Sequence, residues 1–537
     1  MRELLDNRLQ FNGEAYIIKD SPLPSYVKEL EKVGHKYRVI FDIEKVIDYL
    51  ENPPTYKKNQ TYVLDYFSPN IGKPPHVGNL RSAIIGNPLK NILRKVGYNV
   101  ISINWWGDFG TQFGELIYAF KTKGDEKELR KNPIKHLFEL YTWFNRELEK
   151  NPEIKNYARE EFKYLEEAMY KGIQIDVSPF FEGKPLSELL KNKTREEQNY
   201  ILWKIFREIT IKYMREQFYP KLKLEFDEES GESFFLKKAK EVAKELLEKG
   251  VAEEDKNSII VRTPYGVALL LKSDGTTLYL TRDLAAAIEH YEKYKFDKKI
   301  YVVANEQSQH FNQLIYIAKK ANYPFADKLY HLKFGLLLLK TEEGVKKFST
   351  RKGRAVFAED ILEKAYELAK EEILKRNKDK PLEEIEKNAK IIGYGAVIYA
   401  IVRYDPKKDI IFDWDKILSL NGKTSVFIQY SAVRAKHILD KYNKPIERPN
   451  NLEKDEERLL LWLFYYYAVL EESARKLKPN ILAEYLYNLA EEFNRFYEKN
   501  RVIGSNREKE RVWLVNKTYQ ILKEGLNLLG IDVPTFM

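Results

Sequence analysis

The chain has 537 residues, no cysteine, and 91 Lys and Arg residues against 81 Asp and Glu residues, which gives a formal net charge of +10. The absence of cysteine excludes disulfides, thiolate nucleophiles and thiolate metal sites, and it favours an intracellular protein, which we expect to be cytoplasmic. The basic excess favours an anionic partner, with a merely solvated basic surface as an equal alternative, and the length predicts roughly three or four structural units.

We expect neither a membrane span nor a structural metal. The first ten residues carry charges throughout and lack the apolar core of a signal peptide. The longest apolar run, residues 459–470, is shorter than the roughly 18–20 residues that a membrane helix needs, so it predicts a buried helix. The seven histidines are scattered without an i, i+4 pair, so we expect no zinc.

Changes in composition along the chain predict five segments. The turn-prone residues 52–54 mark the first boundary. The segments are a short N-terminal segment (1–55), the first half of a parallel-sheet domain (56–130), an insertion (131–260), the second half of the sheet domain (261–420) and an all-helical bundle (421–537).

The first half of the sheet domain is predicted to be a βαβ unit. Residues 61–67 are β-branched, aromatic and aliphatic, as in a strand. Apolar residues at helical spacing over 80–96 predict a helix with a kink at Pro88, and residues 99–104 alternate as a second strand. Strand, helix and strand in this order predict a parallel sheet.

Strand signals return after the insertion and predict a second parallel half of the sheet. They lie at residues 258–262, 267–271, 277–280 and 299–304, with a helix over 283–294 before the last of them.

Residues 65–81, DYFSPNIGKPPHVGNLR, carry the most informative motif. A strand ends, a Gly- and Pro-rich loop turns, and a helix begins near His76, so backbone N–H groups and the positive helix end face the carboxyl edge of the sheet. Gly78 lets a nucleotide approach the backbone, and His76 can donate to an α-phosphate oxygen. An ordinary loop before a histidine-capped helix is an equal alternative for this motif alone.

Residues 68–81 resemble the HIGH region of class I aminoacyl-tRNA synthetases, in the form that arginyl enzymes use. Asn79 stands where the family usually has histidine; asparagine can donate a hydrogen bond but cannot carry a proton charge, so we expect weaker stabilisation of phosphate. The resemblance implies ATP binding by Pro69, His76, Gly78 and Asn79, and catalytic roles for Lys73, His76 and Asn79.

Residues 347–353, KFSTRKG, are similar to the KMSKS loop of the same enzymes. Thr350 replaces the family's second lysine, which arginyl members commonly lack, and Lys73 is implied to supply that charge. Taken alone, a basic loop is more often a solvated turn. The resemblance implies catalytic roles for Lys347 and Arg351 and ATP binding by Phe348, Ser349 and Thr350.

Residues 279–283 and 304–310 resemble the family's arginine pocket. Carboxylates accept the planar fork of a guanidinium bidentately, which a lysine ammonium cannot match, although each acid alone would more often be a surface residue. By this resemblance Asp65 and Asp283 hold the guanidinium, Tyr279 walls the pocket, Asn70 and Gln307 bind the amino and carboxylate groups, and His310 either reaches the nucleotide or packs in the core.

Residues 412–415, 429–434 and 489–497 resemble segments of the family's anticodon-binding bundle, and residues 530–537 resemble its terminus. Aromatic side chains among basic residues suit stacking on splayed bases, with an aromatic core stripe as the alternative. The implied tRNA contacts are Gln429, Tyr430, Arg434, Asn494, Arg495 and Tyr497. The segment before His76 is shorter than the family's usual N-terminal domain, so we expect a reduced contact with the outer corner of the tRNA.

The resemblance as a whole implies an α/β class I synthetase with a Rossmann-type catalytic domain, an insertion and an all-α anticodon-binding bundle. It implies an arginine–tRNA ligase that uses L-arginine, ATP with Mg²⁺ and tRNA(Arg), is a monomer, and needs tRNA before it activates arginine. The alternatives are another class I synthetase, a small-molecule nucleotidyltransferase, and a relative that binds tRNA without charging it.

Overall fold

The structure, a computed structural model, describes residues 1–18, 22–348 and 356–537. The N-terminal residues form an antiparallel sheet of strand order β1-β2-β4-β3 and a helix. Arg2 pairs with Glu471 at 3.0 Å and Arg448 pairs with Glu44 at 3.0 Å, so this unit docks against the C-terminal helices. Its elements are β1 (Gln10–Phe11), β2 (Ala15–Ile17), β3 (Val27–Val33), β4 (Lys36–Phe41) and α1 (Ile43–Glu51).

The predicted βαβ unit is confirmed as β5 (Thr61–Asp65), α2 (Val77–Lys95) and β6 (Asn99–Trp106), with the two strands parallel. β5 ends two residues before the predicted end because Phe67 and Ser68 adopt left-handed φ values of 77° and 48°, which no strand accommodates. The helix continues through Pro88.

Helices dominate the next 150 residues, but one strand returns to the main sheet. β7 (Glu228–Gly231) pairs in parallel with β6, so the main sheet takes its edge strand from within the predicted insertion. The other elements here are α3 (Thr111–Lys123), α4 (Glu126–Lys131), α5 (Pro133–Lys150), α6 (Ile154–Tyr170), α7 (Ser178–Phe181), α8 (Leu186–Leu190), α9 (Arg195–Tyr213), α10 (Tyr219–Leu222), α11 (Leu236–Glu248) and β8 (Glu253–Asp255).

The main sheet has five parallel strands in the order β12-β11-β5-β6-β7. Its second half is built from α12 (Tyr279–Tyr294), β11 (Lys298–Ala304), α13 (Ser308–Lys320) and β12 (Leu329–Phe334). The predicted strand at 299–304 is thereby confirmed. One buried apolar cluster covers the sheet face under α11, α12 and α13, and a second, larger cluster joins the other face to the rest of the molecule.

Two predictions about this half were wrong. β9 (Ser258–Thr263) and β10 (Gly266–Leu271) are strands, but they form an antiparallel hairpin in a separate sheet with β8, because only two residues connect them and a parallel crossover needs many more. Residues 277–280 are not a strand: Thr277 makes one isolated bridge, and Tyr279 already begins α12.

The remaining elements are those that follow the main sheet and the helices of the C-terminal bundle. The predicted helical bundle is thereby confirmed. They are β13 (Leu337–Thr341), β14 (Gly344–Lys347), α14 (Ala358–Arg376), α15 (Leu382–Val402), β15 (Ile410–Phe412), α16 (Ser425–Lys441), α17 (Lys454–Lys476), α18 (Asn480–Lys499) and α19 (Glu508–Leu528). Across the described ranges, no helix has the length and apolar character needed to span a membrane.

Candidate active site

Asp65 and Gln307, two of the predicted arginine-binding residues, lie at the carboxyl edge of the main sheet. Asp65 is the last residue of β5, and a single 3-10 turn, Asn305–Gln307, follows directly after β11. β5 and β11 are neighbouring parallel strands, with Tyr301 opposite Asp65, so both ends open onto the same side. This edge is where ligands bind in open parallel sheets.

His76 caps α2 through one of its two ring nitrogens. Its Nδ1 accepts hydrogen bonds from the backbone N–H groups of Gly78 at 2.9 Å and Asn79 at 3.3 Å. Because Nδ1 is an acceptor, the proton of the neutral imidazole lies on Nε2, and burial lowers the pKa of His76 and so favours this neutral form. A Cβ at position 78 would lie 2.8 Å from Cε1 of His76, so glycine is needed to keep the ring in place.

Asn79 is buried, and its amide bonds within the chain. Its Oδ1 accepts from the N–H of His76 at 3.0 Å, and its Nδ2 donates to the carbonyl oxygens of Phe67 at 2.9 Å and Ser68 at 3.2 Å. The side chain thus clamps the left-handed turn that begins the loop. A contact between Asn79 and a phosphate stays a prediction.

Asp65 shares its buried surroundings with charged residues on three other elements. Burial raises the pKa of Asp65 to about 7, Lys299 on β11 counteracts that rise, and Asp283 on α12 and Glu228 on β7 add to it. The charges of Asp65 and Asp283 act on each other and on Lys299, so the two predicted guanidinium ligands lie in the same region of the sheet edge.

Lys299, which belongs to none of the sequence motifs, is almost fully buried. Its Nζ lies 2.6 Å from Nδ1 of His290, whose Nε2 lies 3.5 Å from Glu228 on β7. Burial lowers the pKa of Lys299 to about 8, and Asp65 and Asp283 oppose that fall. The local sequence does not reveal it, because Lys298 and Lys299 begin β11 as an adjacent pair and only Lys299 is buried.

Asp283 and Tyr279 lie one turn apart at the start of α12. Oδ2 of Asp283 is 2.6 Å from Nε2 of His310 on α13. The histidine predicted to reach the nucleotide therefore lies beside an acid predicted to bind the guanidinium of the substrate. Tyr279 is 57% exposed, and the buried guanidinium of Arg282 lies 5.0 Å from its ring.

The loop between β5 and α2 is held against the strand end of β6. The backbones at Asn70 and Gly107 pair as an isolated bridge, and a Cβ on Gly107 would meet the Asn70 side chain at 2.0 Å. Pro69 takes part as well, since its carbonyl accepts from the N–H of Gly107 at 3.0 Å. The side chain of Lys73 points toward α5, where its Nζ lies 4.4 Å from the ring of Tyr141.

The structure describes only the first two residues, Lys347 and Phe348, of the loop over 347–353 that is predicted to bind phosphate. Lys347 is the last residue of β14 and is exposed, and the ring of Phe348 packs on Phe412 with centroids 5.7 Å apart. The predicted residues Ser349, Thr350 and Arg351 lie outside the described residues.

The predicted RNA-contact residues of the bundle separate into two groups. The guanidinium of Arg434 lies between the exposed rings of Tyr430 at 5.0 Å and Tyr497 at 4.8 Å, and it donates to Asn494 at 2.7 Å. Gln429 is fully buried instead and donates to the carbonyl of Asp532 at 2.9 Å, so it has no surface to offer to RNA.

Arg495 is exposed, in keeping with a surface contact, and its Nη1 donates to Glu492 at 3.0 Å. The described part of the chain contains no group of three or more His, Asp and Glu side chains placed to hold a metal ion.

Comparisons with known proteins agree with this arrangement. The catalytic domain of class I tRNA synthetases (R) matches residues 45–414, and the DALR anticodon binding domain matches residues 428–537. An arginine–tRNA ligase of Lactobacillus acidophilus is 36% identical over 488 residues, covering 88% of this chain and 80% of that protein. Arginine–tRNA ligase 1 of Bacillus cereus is 35% identical over 528 residues, covering 95% of this chain and 88% of that protein.

The fold has solved counterparts. The arginyl-tRNA synthetase of Thermus thermophilus superposes with a TM-score of 0.73 at 24% identity, covering 96% of this chain and 90% of that one. The enzyme of Plasmodium falciparum gives a TM-score of 0.74 at 22% identity, covering 96% and 87% of the two chains. These likenesses show the shared fold.

Proposed function

This chain belongs to the arginine–tRNA ligase family of class I aminoacyl-tRNA synthetases, and we propose that the cleft at the carboxyl edge of its main sheet activates arginine with ATP and transfers it to the 3′ end of tRNA(Arg). The placement of two acids at one edge of the sheet carries this proposal: Asp65 ends β5, and Asp283 contacts His310, which follows the neighbouring strand β11. Two carboxylates facing one space match the two edges of a planar guanidinium, and no other common amino acid side chain presents such a fork.

In the first step an oxygen of the arginine carboxylate attacks the α-phosphorus of ATP, and the bond from that phosphorus to the bridging oxygen breaks. Arginyl-adenylate forms and pyrophosphate leaves. In the second step a hydroxyl of the terminal tRNA ribose attacks the arginyl carbonyl carbon, AMP leaves, and the hydroxyl proton is released. Neither step needs a nucleophile from the protein, so catalysis rests on positioning and on positive groups near the phosphates.

His76 is the group best placed to act on the α-phosphate. Its Nδ1 is occupied by the backbone of Gly78 and Asn79, so the Nε2–H remains to donate to an oxygen that gains negative charge as the bond to pyrophosphate breaks. Lys73, Lys347 and Arg351 supply further positive charge, and a magnesium ion enters with ATP. The aromatic rings around Arg434 form the proposed anticodon contact.

Asn79 stands where the family usually has histidine, and this replacement favours the alternative of a relative that binds tRNA without charging it. Its hydrogen bonds to the carbonyls of Phe67 and Ser68 give the asparagine a role within the loop. We therefore favour a charging enzyme.

The test is ATP–pyrophosphate exchange and tRNA charging, each measured with arginine and tRNA(Arg). We expect exchange to depend on arginine and Asp283→Asn to lower kcat/KM for arginine at least about 100-fold, since one of two charge-assisted contacts is lost. Asp327→Asn is the matched control and should behave as wild type, because Asp327 is 90% exposed and lies in the turn that directly precedes β12, at the amino edge of the sheet opposite the site. Tight binding of tRNA without any exchange, or wild-type use of arginine by Asp283→Asn, would contradict the proposal.

A further inference from the structure

An exposed aromatic ring, Phe234, lies at the carboxyl edge just beyond β7. It belongs to the 3-10 turn Glu232–Phe235 that follows this strand, and it is 57% exposed. The guanidinium carbon of Arg207, on α9, lies 4.8 Å from the centre of the ring. One side of the ring is thus covered by a cation while most of the side chain remains in solvent.

Asp108 fixes this pair in place. Its carboxylate is fully buried and accepts from Nε of Arg207 at 2.8 Å, and from the N–H and Oγ of Ser233 at 2.8 and 2.7 Å. A Cβ on Gly231 would lie 2.4 Å from Oδ2 of Asp108, so glycine is what permits this close approach. The backbone just before Phe234 and the cation behind it are therefore held by the same buried acid.

The pair is linked to the proposed arginine pocket through one ion pair. Glu232, two residues before Phe234, lies 3.3 Å from Arg282, whose guanidinium carbon is 5.0 Å from the ring of Tyr279. Tyr279 is the proposed wall of the pocket, and Asp283 follows it by one turn. Phe234 therefore lies beside the proposed arginine pocket, at the same carboxyl edge of the main sheet.

We propose that Phe234, backed by Arg207, is a stacking platform for an unpaired base next to the 3′ end of tRNA. This inference rests on the proposed function. Because the terminal ribose must reach the arginyl group, the nucleotides that precede it must run outward past the edge of the arginine pocket. Aromatic rings and arginine planes take up splayed bases with little dependence on sequence, because every base has a flat face. A rigidly held ring also loses little conformational freedom on binding.

The experiment uses tRNA(Arg) with the fluorescent base 2-aminopurine in place of the penultimate base. Binding to the wild-type chain should quench the fluorescence, and Phe234→Ala should abolish that quench and weaken tRNA binding about tenfold or more. Phe234→Tyr keeps a stacking ring and should retain both. Leu382→Ala, which truncates a 58% exposed side chain on α15, should match wild type.

A second tRNA separates stacking from a general effect on RNA binding. With tRNA(Arg) lacking its unpaired 3′ nucleotides, wild type and Phe234→Ala should bind equally. The proposal would be wrong if Phe234→Ala still quenched the fluorescence. It would also be wrong if Phe234→Ala weakened the binding of shortened tRNA(Arg) as much as that of full-length tRNA(Arg). Failure of the proposed function shows separately, because the wild-type chain would then not charge tRNA with arginine, whereas the quench is measured without charging.

Discussion

Nε2 of His310 lies 2.6 Å from Oδ2 of Asp283, although 27 residues separate them in the chain. The contact joins α13 to α12 across the carboxyl edge of the sheet. A carboxylate held by such a hydrogen bond has fewer orientations to lose when it binds a cation. His310 therefore positions the acid that we propose to grip the substrate guanidinium.

Removing this contact should weaken arginine binding more than ATP binding. We expect His310→Ala to raise the KM for arginine about tenfold, corresponding to the loss of one charge-assisted hydrogen bond, with a smaller change in the KM for ATP. Steady-state charging with each substrate varied in turn measures both constants. His310→Gln keeps a nitrogen donor and should fall between wild type and His310→Ala; equal effects on both substrates would count against a positioning role.

The buried charges around Asp65 predict that arginine binding weakens in acid. The groups that act on Asp65 are Lys299 on β11, Asp283 on α12, Glu228 on β7 and Ser68 in its own loop. With its pKa raised to about 7, the carboxyl gains a proton as the pH falls through that value, and a neutral acid holds a guanidinium poorly. Arginine affinity measured by titration calorimetry should therefore fall from about pH 8 to about pH 6.

Lys299 supplies the test of that explanation. It favours the ionised form of Asp65, so Lys299→Met should raise the pKa of Asp65 further and move the loss of affinity to higher pH. Asp65→Asn should weaken binding and flatten the pH dependence. A pH profile that is the same in wild type and Lys299→Met would exclude this lysine as the balancing charge.

The sequence predicts the parts of this site that depend on local pattern. Asp65 at a strand end and His76 at a helix start follow from the strand, loop and helix order around them. Lys299 and the contact between Asp283 and His310 could not be predicted from local pattern, since both depend on which elements become neighbours in the sheet.

At two places the structure departs from local pattern for the same physical reason. Residues 277–280 looked like a strand, but Thr281 donates to the carbonyl of Leu270 at 2.6 Å and Arg282 donates to the carbonyl of Thr277 at 2.9 Å, which fixes this segment as the start of a helix. Gln429 lies in a polar and aromatic helix, yet the distant C-terminal residues cover it. Tertiary contacts outweigh local preference in both cases.

Arg81 connects the helix that carries His76 to the base of the hairpin that carries Lys347. Its buried guanidinium donates to the carbonyls of Leu336 at 3.2 Å, Pro406 at 3.1 Å and Lys408 at 2.6 Å. Leu336 and Pro406 also accept from the backbone N–H groups of Ile410 and Gly335, so Arg81→Met should cost mainly the bond to Lys408 and the packing of the guanidinium. We expect it to lower the free energy of unfolding by about 1–3 kcal/mol, measured by denaturant titration.

The same substitution should also slow catalysis, because the two phosphate-binding segments would lose their common anchor. In conditions where Arg81→Met remains folded, kcat for charging should fall about tenfold or more while the KM for arginine changes little. Arg81→Lys can reach only part of the fork and should recover part of kcat. A loss of stability with an unchanged kcat would assign Arg81 to folding alone.

Substitutions of Asn79 distinguish a role in stabilising the loop from a role in binding phosphate. Asn79→Asp keeps the oxygen that caps the N–H of His76 but loses the Nδ2–H groups that bind the carbonyls of Phe67 and Ser68. The new acid would face these carbonyls, so we expect a loss of about 1–3 kcal/mol of stability and slower activation. Asn79→His, which restores the family's usual residue, also cannot make both bonds, so denaturant titration and pyrophosphate exchange should show a less stable and slower enzyme. If Asn79→His were faster than wild type at equal stability, the asparagine would be limiting the chemistry on phosphate, and its hydrogen bonds to the loop would not explain why it is there.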